Sequence, residues 1–222
     1  MKEEMHMAAE KVVTLTAVRA NVVLTFTEPL LGSAPVNREV YAKYIESCRE
    51  KRVDALAELA GSEVETLPPV VDEAKGWTSF HKDETGIFLY DYAIKGFLKE
   101  AANVLKDGVG EKNLRSKFDN YVFVRPRRAH PTRDGKTILE PDGVLERPLR
   151  AMTPQGPRVT LARSDYLKAG CSLEFAVLVI SGSPFRHPEE LLESCLQYGS
   201  LKGLGQWRNG GYGSFDYTLE FA

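Results

Sequence analysis

The chain has 222 residues, of which 43% are hydrophobic and 27% charged, and its formal net charge is −2 at pH 7. This length and hydrophobic content allow a buried core and exclude disorder, while the small net charge excludes a protein that coats long nucleic acid by charge alone. The three cysteines are odd in number and widely spaced, and no segment approaches the roughly 20 apolar residues of a membrane span. We therefore expect a cytoplasmic protein with no membrane partner, no metal and no cofactor.

The first half of the chain carries alternating strand and helix patterns. Residues 11–27 are rich in Val, Leu and Thr and predict a first strand, and Asn37 can cap a helix over 38–59. An acidic, proline-bearing loop over 63–75 follows. Residues 77–80 and 87–90 flank a polar turn and predict two short paired strands. Apolar residues at helical spacing predict a helix over 92–105 that ends at Asp107 and Gly108.

The second half is richer in strands and turns. Residues 121–124 predict a buried strand, and 125–158, rich in Pro, Gly and charge, predict an extended loop with one or two hairpins. Residues 159–161 and 172–180 predict paired strands, 187–197 a helix and 215–221 a final strand. Because strands and helices mix without a regular βαβ repeat, we expect an α+β fold with an antiparallel sheet and helices on one face.

The middle of the chain is locally basic. Residues 95–133 contain 10 Lys or Arg against 4 Asp or Glu. One interpretation is a solvated helix face followed by a basic loop. The other is a positive surface for nucleic acid, to which Lys95, Arg125, Arg127 and Arg128 would contribute.

A glycine-rich segment, 201–214, lies between the last predicted helix and the last predicted strand. Glycines allow backbone amides to approach phosphate, and Trp207 and Tyr212 offer faces for stacking on bases. The segment lacks the P-loop pattern and precedes a strand, and a hairpin of tight turns is the alternative interpretation. The candidate ligand-binding residues here are Lys202, Gly203, Gly205, Gln206, Trp207, Arg208, Asn209, Gly210, Gly211, Tyr212 and Gly213.

Four segments in this order resemble the RAMP superfamily, the ferredoxin-like RNA-binding proteins that form the backbones of CRISPR effector complexes. They are LTFTEPLLGS at 24–33, YDYAIKGFL at 90–98, KAGCSLEFAVLV at 168–179 and the glycine-rich loop at 203–213. The resemblance runs from about residue 11 to residue 221. Tyr92 and Ala93 stand where the family has a small polar pair, and Glu100 stands near its usual arginine. A small standalone chain of this kind also resembles an uncharacterised family found in bacteriophage genomes.

The resemblance implies a ferredoxin-like, RRM-like antiparallel sheet with helices on one face, in one or two such units, plus a long hairpin-bearing insertion. It implies a single domain over 1–222. In that domain, 11–110 is the first half with its helices, 111–158 the basic loop and hairpin insertion, and 159–222 the second half with the glycine-rich loop.

The function that the resemblance implies is non-catalytic binding of RNA or of a nucleotide. Three alternatives stay open. The first is an oligomer that sequesters a small cyclic or linear oligonucleotide signal, as a phage anti-defence protein in the host cytoplasm. The second is a scaffold that assembles with itself or with related subunits. The third is a metal-independent endoribonuclease, for which His81 and His130 are the catalytic candidates.

Overall fold

A computed structural model describes residues 16–35, 77–153, 156–180 and 185–222. In these ranges the chain forms an α+β structure of three helices and mainly antiparallel sheets. The predicted helix over 38–59 and the loop over 63–75 lie outside the described residues. The helices are α1 (Asp91–Val109), α2 (Leu114–Tyr121) and α3 (Pro188–Lys202). None of these helices is long and apolar enough to span a bilayer.

The main sheet has two long strands at its centre. These are β1 (Ala17–Phe26) and β13 (Ser172–Ile180), which pair antiparallel along their length. On its other side, β1 pairs with β14 (Phe215–Phe221). On its other side, β13 pairs with β7 (Val122–Arg125) and, at its start, with β9 (Thr132–Arg133). Strand β9 forms a short hairpin with β10 (Lys136–Thr137). The strand order is therefore β14-β1-β13-β7, with every neighbouring pair antiparallel.

The core lies between one face of this sheet and the helices. Alternate β1 side chains, from Ala20 to Phe26, are buried, whereas Asn21 and Thr25 between them are exposed. Helices α1 and α3 contribute their apolar faces to the same core. On the strand every second side chain is buried, and on the helices the buried side chains follow the 3.6-residue repeat. This is the pattern expected when helices cover one face of a sheet.

A second sheet is built around a long hairpin. Its members are β11 (Gly143–Thr153), β12 (Gly156–Leu167), β2 (Leu30–Leu31), β3 (Ala34–Pro35) and β4 (Trp77–Ser79). The order is β11-β12-β4-β3, and β2 also pairs with β12. A small third sheet contains β5 (His81–Asp83), β6 (Gly86–Tyr90) and β8 (Arg128–Ala129).

Two predicted strand pairings are wrong. Residues 77–79 pair with β3 and β12, not with 87–90, because the hairpin turn lies at Glu84 and Thr85 and joins β5 to β6. The carboxylate of Asp83 accepts hydrogen bonds from the amides of Thr85 and Gly86, which closes that turn. Likewise β12 pairs with β11, β2 and β4, and not with β13.

The prediction that 125–158 is mainly loop is also wrong in its second half. Strand β11 begins at Gly143 and continues through Pro148. Among the described strands β11 pairs with β12 alone, so it is an edge strand, where a missing N–H is tolerated. A turn at Asp134 and Gly135, both with positive φ, joins β9 to β10.

Two of the predicted helices, 92–105 and 187–197, lie in the described residues; both are present but longer than predicted, and a third helix there, α2, is missing from the prediction. Helix α1 continues through Gly108 and ends at Val109; the next residue, Gly110, has a left-handed conformation, and its amide donates to the Lys106 carbonyl at 3.1 Å. Helix α2 has only two buried side chains, Leu114 and Phe118, and its sequence has too few apolar positions to mark it. The final strand, 215–221, is confirmed.

Candidate ligand-binding cleft

A cleft of about 220 Å³ opens where the second and third sheets meet α1 and the glycine-rich loop. Its lining comes from segments that are far apart in the chain: residues 31–34, 79–81, 88–100 and 204–208. We call it the aromatic cleft because most of its large lining side chains are rings, namely Phe80, His81, Phe88, Tyr90, Tyr92 and Phe97.

The rings of the aromatic cleft form a connected stack. The His81 imidazole is stacked on Phe88 at 5.6 Å between centroids and meets Tyr90 edge-on at 4.8 Å. Tyr90 in turn lies nearly parallel to Tyr92, at 5.0 Å and 20°. Tyr92 is 59% exposed, so the stack reaches the protein surface, and an exposed tyrosine ring can stack on a planar group.

An ion pair forms part of the cleft wall. Helix α1 places Glu100 one turn after Phe97, and the glycine-rich loop places Arg208 opposite it, with 2.8 Å between Arg208 Nη1 and Glu100 Oε2. Among the described residues neither side chain has a second side-chain partner. The cleft therefore presents an acidic acceptor and a cationic donor side by side.

The glycine-rich loop packs on itself and on β2. A Cβ on Gly213 would lie 1.9 Å from the Leu204 carbonyl oxygen, and one on Gly203 2.4 Å from the Tyr212 oxygen. A Cβ on Gly205 would lie 2.8 Å from the Leu31 carbonyl oxygen. These contacts require glycine whether or not a ligand binds.

Many amides of the loop already have partners. Six of them, those of Gly203, Leu204, Gln206, Gly210, Gly211 and Gly213, donate to backbone carbonyls of the protein. The expectation that the loop's amides bind phosphate cannot apply to these six while the loop keeps this conformation. The loop contributes Leu204, Gly205 and the Arg208 side chain to the lining of the cleft.

The two aromatic residues of the loop contact each other. Trp207 and Tyr212 are stacked at 5.1 Å and 17°, and the Arg147 guanidinium lies 4.7 Å from the Trp207 ring centroid. Trp207 keeps 39% of its surface exposed. Lys202 Nζ donates to Asn209 Oδ1 at 2.6 Å, which ties the end of α3 to the same loop.

Arg147 is a residue that the sequence does not single out. It is only 6% exposed, its Nη1 donates to Ser164 Oγ at 3.0 Å, and its Nε has no hydrogen-bond partner. Burial lowers the pKa of this guanidinium, because desolvation disfavours its charge. No carboxylate among the described residues pairs with it. In the sequence it is one of several arginines between residues 125 and 158, and only the strand register turns it inward.

The four basic residues predicted from the middle of the chain do not line the cleft. Lys95 Nζ donates to the Asp119 carbonyl at 2.7 Å and lies over the Phe123 ring. Arg128 pairs with Asp83 at 3.0 Å and lies over Phe88 from outside the lining. Arg125 and Arg127 are exposed at and just after the end of β7.

The two candidate histidines have different environments. His81 lines the cleft, and burial lowers its pKa, which favours the neutral form of its imidazole. His130 lies outside the lining, with Nδ1 3.0 Å from the Ile87 carbonyl and Nε2 3.6 Å from Asp83. The structure therefore brings only one of them to the cleft.

No protein-family model matches the chain, and no curated protein is similar to it at a significant level. Among the described residues, no three His, Cys, Asp or Glu side chains are grouped as a metal site requires.

Proposed function

We propose that this chain is a RAMP-like protein with a ferredoxin-like unit that binds RNA or a nucleotide, without catalysis, by holding a base in the aromatic cleft. The observation that carries the proposal is convergence. Three of the four segments that resemble the family supply lining residues of this one cleft: Leu31 and Ser33 from the first, Tyr90 to Phe97 from the second, and Leu204, Gly205 and Arg208 from the loop.

The ferredoxin-like assignment is supported by the order of elements in the main sheet. Along the chain the order is β1, two helices, β7, β13, α3 and β14, and in space it is β14-β1-β13-β7. Each pair of strands joined through helices, β1 with β7 and β13 with β14, is separated by one strand that is antiparallel to both. This is the arrangement expected for a βαββαβ unit.

The binding assignment is supported by the chemistry of the cleft. Proteins that recognise single-stranded RNA stack its bases on aromatic side chains and bond to the base edges. The aromatic cleft combines an exposed tyrosine stack with the Glu100–Arg208 pair in its wall. A volume of about 220 Å³ is small for a whole drug-sized ligand and suits one base of a longer molecule. Tyr92 and Glu100, where the chain departs from the family pattern, both belong to this lining.

Filling the cleft tests the proposal without removing any polar group. Helix α1 has two exposed glycines, Gly96 and Gly108, where an added Cβ meets nothing within 4 Å, and only Gly96 lines the cleft. We expect Gly96→Leu to abolish binding of a fluorescein-labelled RNA decamer in an anisotropy titration and Gly108→Leu to retain it. Both variants gain helix propensity. Equal affinities for the two variants would place the RNA elsewhere.

A second pair of variants separates the cleft from the open face of the main sheet. Tyr92→Ala removes the exposed ring of the cleft, and Phe123→Ala removes an exposed ring of β7, on the sheet face that an RRM-like protein would use. Loss of one stacked base costs about 1–3 kcal/mol, so we expect Tyr92→Ala to weaken RNA binding by roughly fivefold to a hundredfold. The reverse ranking would favour the sheet face.

One observation favours a metal-independent ribonuclease as a second candidate. His81 lines the cleft with a lowered pKa, and a neutral imidazole can accept the proton of a ribose 2′-hydroxyl. This candidate predicts RNA cleavage in EDTA that is lost in His81→Asn and kept in His130→Asn, which lies outside the lining. If the unaltered protein leaves labelled RNA intact under these conditions, the non-catalytic proposal stands.

A further inference from the structure

The ion pair in the cleft wall has unused hydrogen-bonding capacity. The recorded contact joins Arg208 Nη1 to Glu100 Oε2, and the other carboxylate oxygen and guanidinium nitrogens have no side-chain partner among the described residues. A carboxylate only accepts hydrogen bonds and a guanidinium only donates them. A ligand that satisfies both groups must therefore present donors toward Glu100 and acceptors toward Arg208.

Guanine fits this pattern better than the other bases. Its N1–H and N2–H2 are adjacent donors that match two carboxylate oxygens, and its O6 and N7 are adjacent acceptors that match an arginine fork. Adenine alternates N6–H2, a donor, with the acceptors N1 and N7, so neither charged group can form two bonds to it. Uracil and cytosine likewise offer no pair of adjacent donors.

We propose that the aromatic cleft is selective for a guanine base, read by Glu100 and Arg208 while the base stacks on the tyrosines. The inference rests on the proposed function, because it names the base that the same cleft would hold. Glu100 stands at the wall only because α1 carries it one turn beyond Phe97, and Arg208 reaches it only because the loop is packed against β2.

The proposal predicts a change of preference in one conservative variant. Glutamine has one acceptor and one donor, the combination that pairs with adenine, whereas its donor opposes those of guanine. We expect Glu100→Gln to bind GMP at least about tenfold more weakly than the unaltered protein does and to bind AMP as well or better. Loss of the negative charge alone would change both affinities in the same direction.

The test is calorimetric titration of the full chain with GMP, IMP, AMP and UMP. Because the four share ribose and phosphate, differences in affinity report the base. We expect GMP to bind at least about tenfold more tightly than AMP, and IMP, which lacks the 2-amino group, to lie between them. Equal affinities for GMP and AMP, or an unchanged ratio in Glu100→Gln, would overturn the guanine assignment and leave the cleft as a base site. If neither the RNA decamer nor any of the four nucleotides binds, the proposed function is overturned as well.

A matched ion pair provides the control. Arg163 Nε lies 2.7 Å from Glu146 Oε1 on the β11–β12 hairpin, outside the cleft lining, so Glu146→Gln should leave every affinity and the GMP-to-AMP ratio unchanged. Two RNA pentamers, UUGUU and UUAUU, distinguish a free nucleotide from a base within a chain. If UUGUU binds more tightly than UUAUU and also much more tightly than GMP, the ligand is RNA. If UUGUU binds no more tightly than GMP, the ligand is a free nucleotide. The unaltered protein's own ratio decides the proposal even if a variant fails to fold.

Discussion

Two glycines of the glycine-rich loop, Gly213 and Gly211, allow the role of close packing to be measured. Both have positive φ, 73° and 87°. A Cβ on Gly213 would lie 1.9 Å from the Leu204 carbonyl oxygen, a backbone atom, whereas a Cβ on Gly211 meets nothing within 4 Å. Alanine at either position meets the same conformational strain, and only at Gly213 does it also collide.

The expected magnitudes follow from these contacts. Left-handed strain costs an alanine about 1–2 kcal/mol, and this is the whole expected loss of unfolding free energy for Gly211→Ala. In Gly213→Ala the loop must also move. That breaks the 2.9 Å hydrogen bond from the Leu204 amide to the Gly213 carbonyl, worth about 1 kcal/mol, and exposes part of the buried Leu204 side chain, worth about another 1–2 kcal/mol. We therefore expect a loss of about 3–5 kcal/mol for Gly213→Ala.

Equilibrium urea unfolding, followed by far-UV circular dichroism, measures both losses. Because Gly213 also fixes the loop that carries Arg208, we expect Gly213→Ala to lose ligand affinity under conditions where it remains folded. Gly211→Ala should keep that affinity. Equal losses of stability in the two variants would refute the reasoning, because the collision would then contribute nothing beyond strain.

Three further predictions concern stability. Alanine is a better helix former than glycine by about 1 kcal/mol, so Gly108→Ala should stabilise the protein, whereas Gly199→Ala in α3 should destabilise it because its Cβ would lie 2.2 Å from a ring carbon of Phe97. A gain of unfolding free energy for both variants in urea unfolding would contradict this packing. Arg147→Met should leave the unfolding free energy unchanged or raise it, because a buried cation without a carboxylate partner among the described residues is costly. A loss of more than about 2 kcal/mol of unfolding free energy would mean that the cation–π contact and the hydrogen bond of Arg147 outweigh the cost of desolvating its guanidinium. The hydrogen bond from Arg133, at 2.6 Å, lowers the pKa of Asp142 below its unfolded value, so its stabilisation is present above about pH 4 and is lost as pH falls through the folded pKa. Asp142→Asn should be less stable than the unaltered protein at pH 7, and this difference in unfolding free energy should shrink as pH falls below about 4; a difference that does not vary with pH would contradict this.

The candidate site was only partly predictable. The sequence marked the glycine-rich loop and His81, and both contribute to the cleft. It also assigned phosphate binding to loop amides, six of which bond within the protein instead. Lys95 and its basic neighbours were chosen by charge, but charge shows only that a side chain is basic, and strand and helix register decide where it points.

Glu100 and Tyr92 show why a motif alone was insufficient. Both were visible as departures from the pattern of the superfamily that the sequence resembles, yet nothing local indicated that they face a common cleft. Their roles depend on Arg208, which lies more than a hundred positions further along the chain. Arg147 had no signal at all, because an inward arginine on an edge hairpin has the same neighbours in sequence as an outward one.

Local patterns of apolar and polar residues therefore determined which segments form strands and helices. They predicted best the segments in which a regular pattern extends over many residues, as in β13, β14 and α1. Those patterns reflect the alternation of buried and exposed side chains, which each segment carries within itself. The partners of the strands, the extent of the β11–β12 hairpin and the meeting of four segments at one cleft were decided only by the tertiary structure. Backbone hydrogen bonds are nearly equivalent for any strand pair, so the choice between partners depends on packing between residues that are distant in sequence.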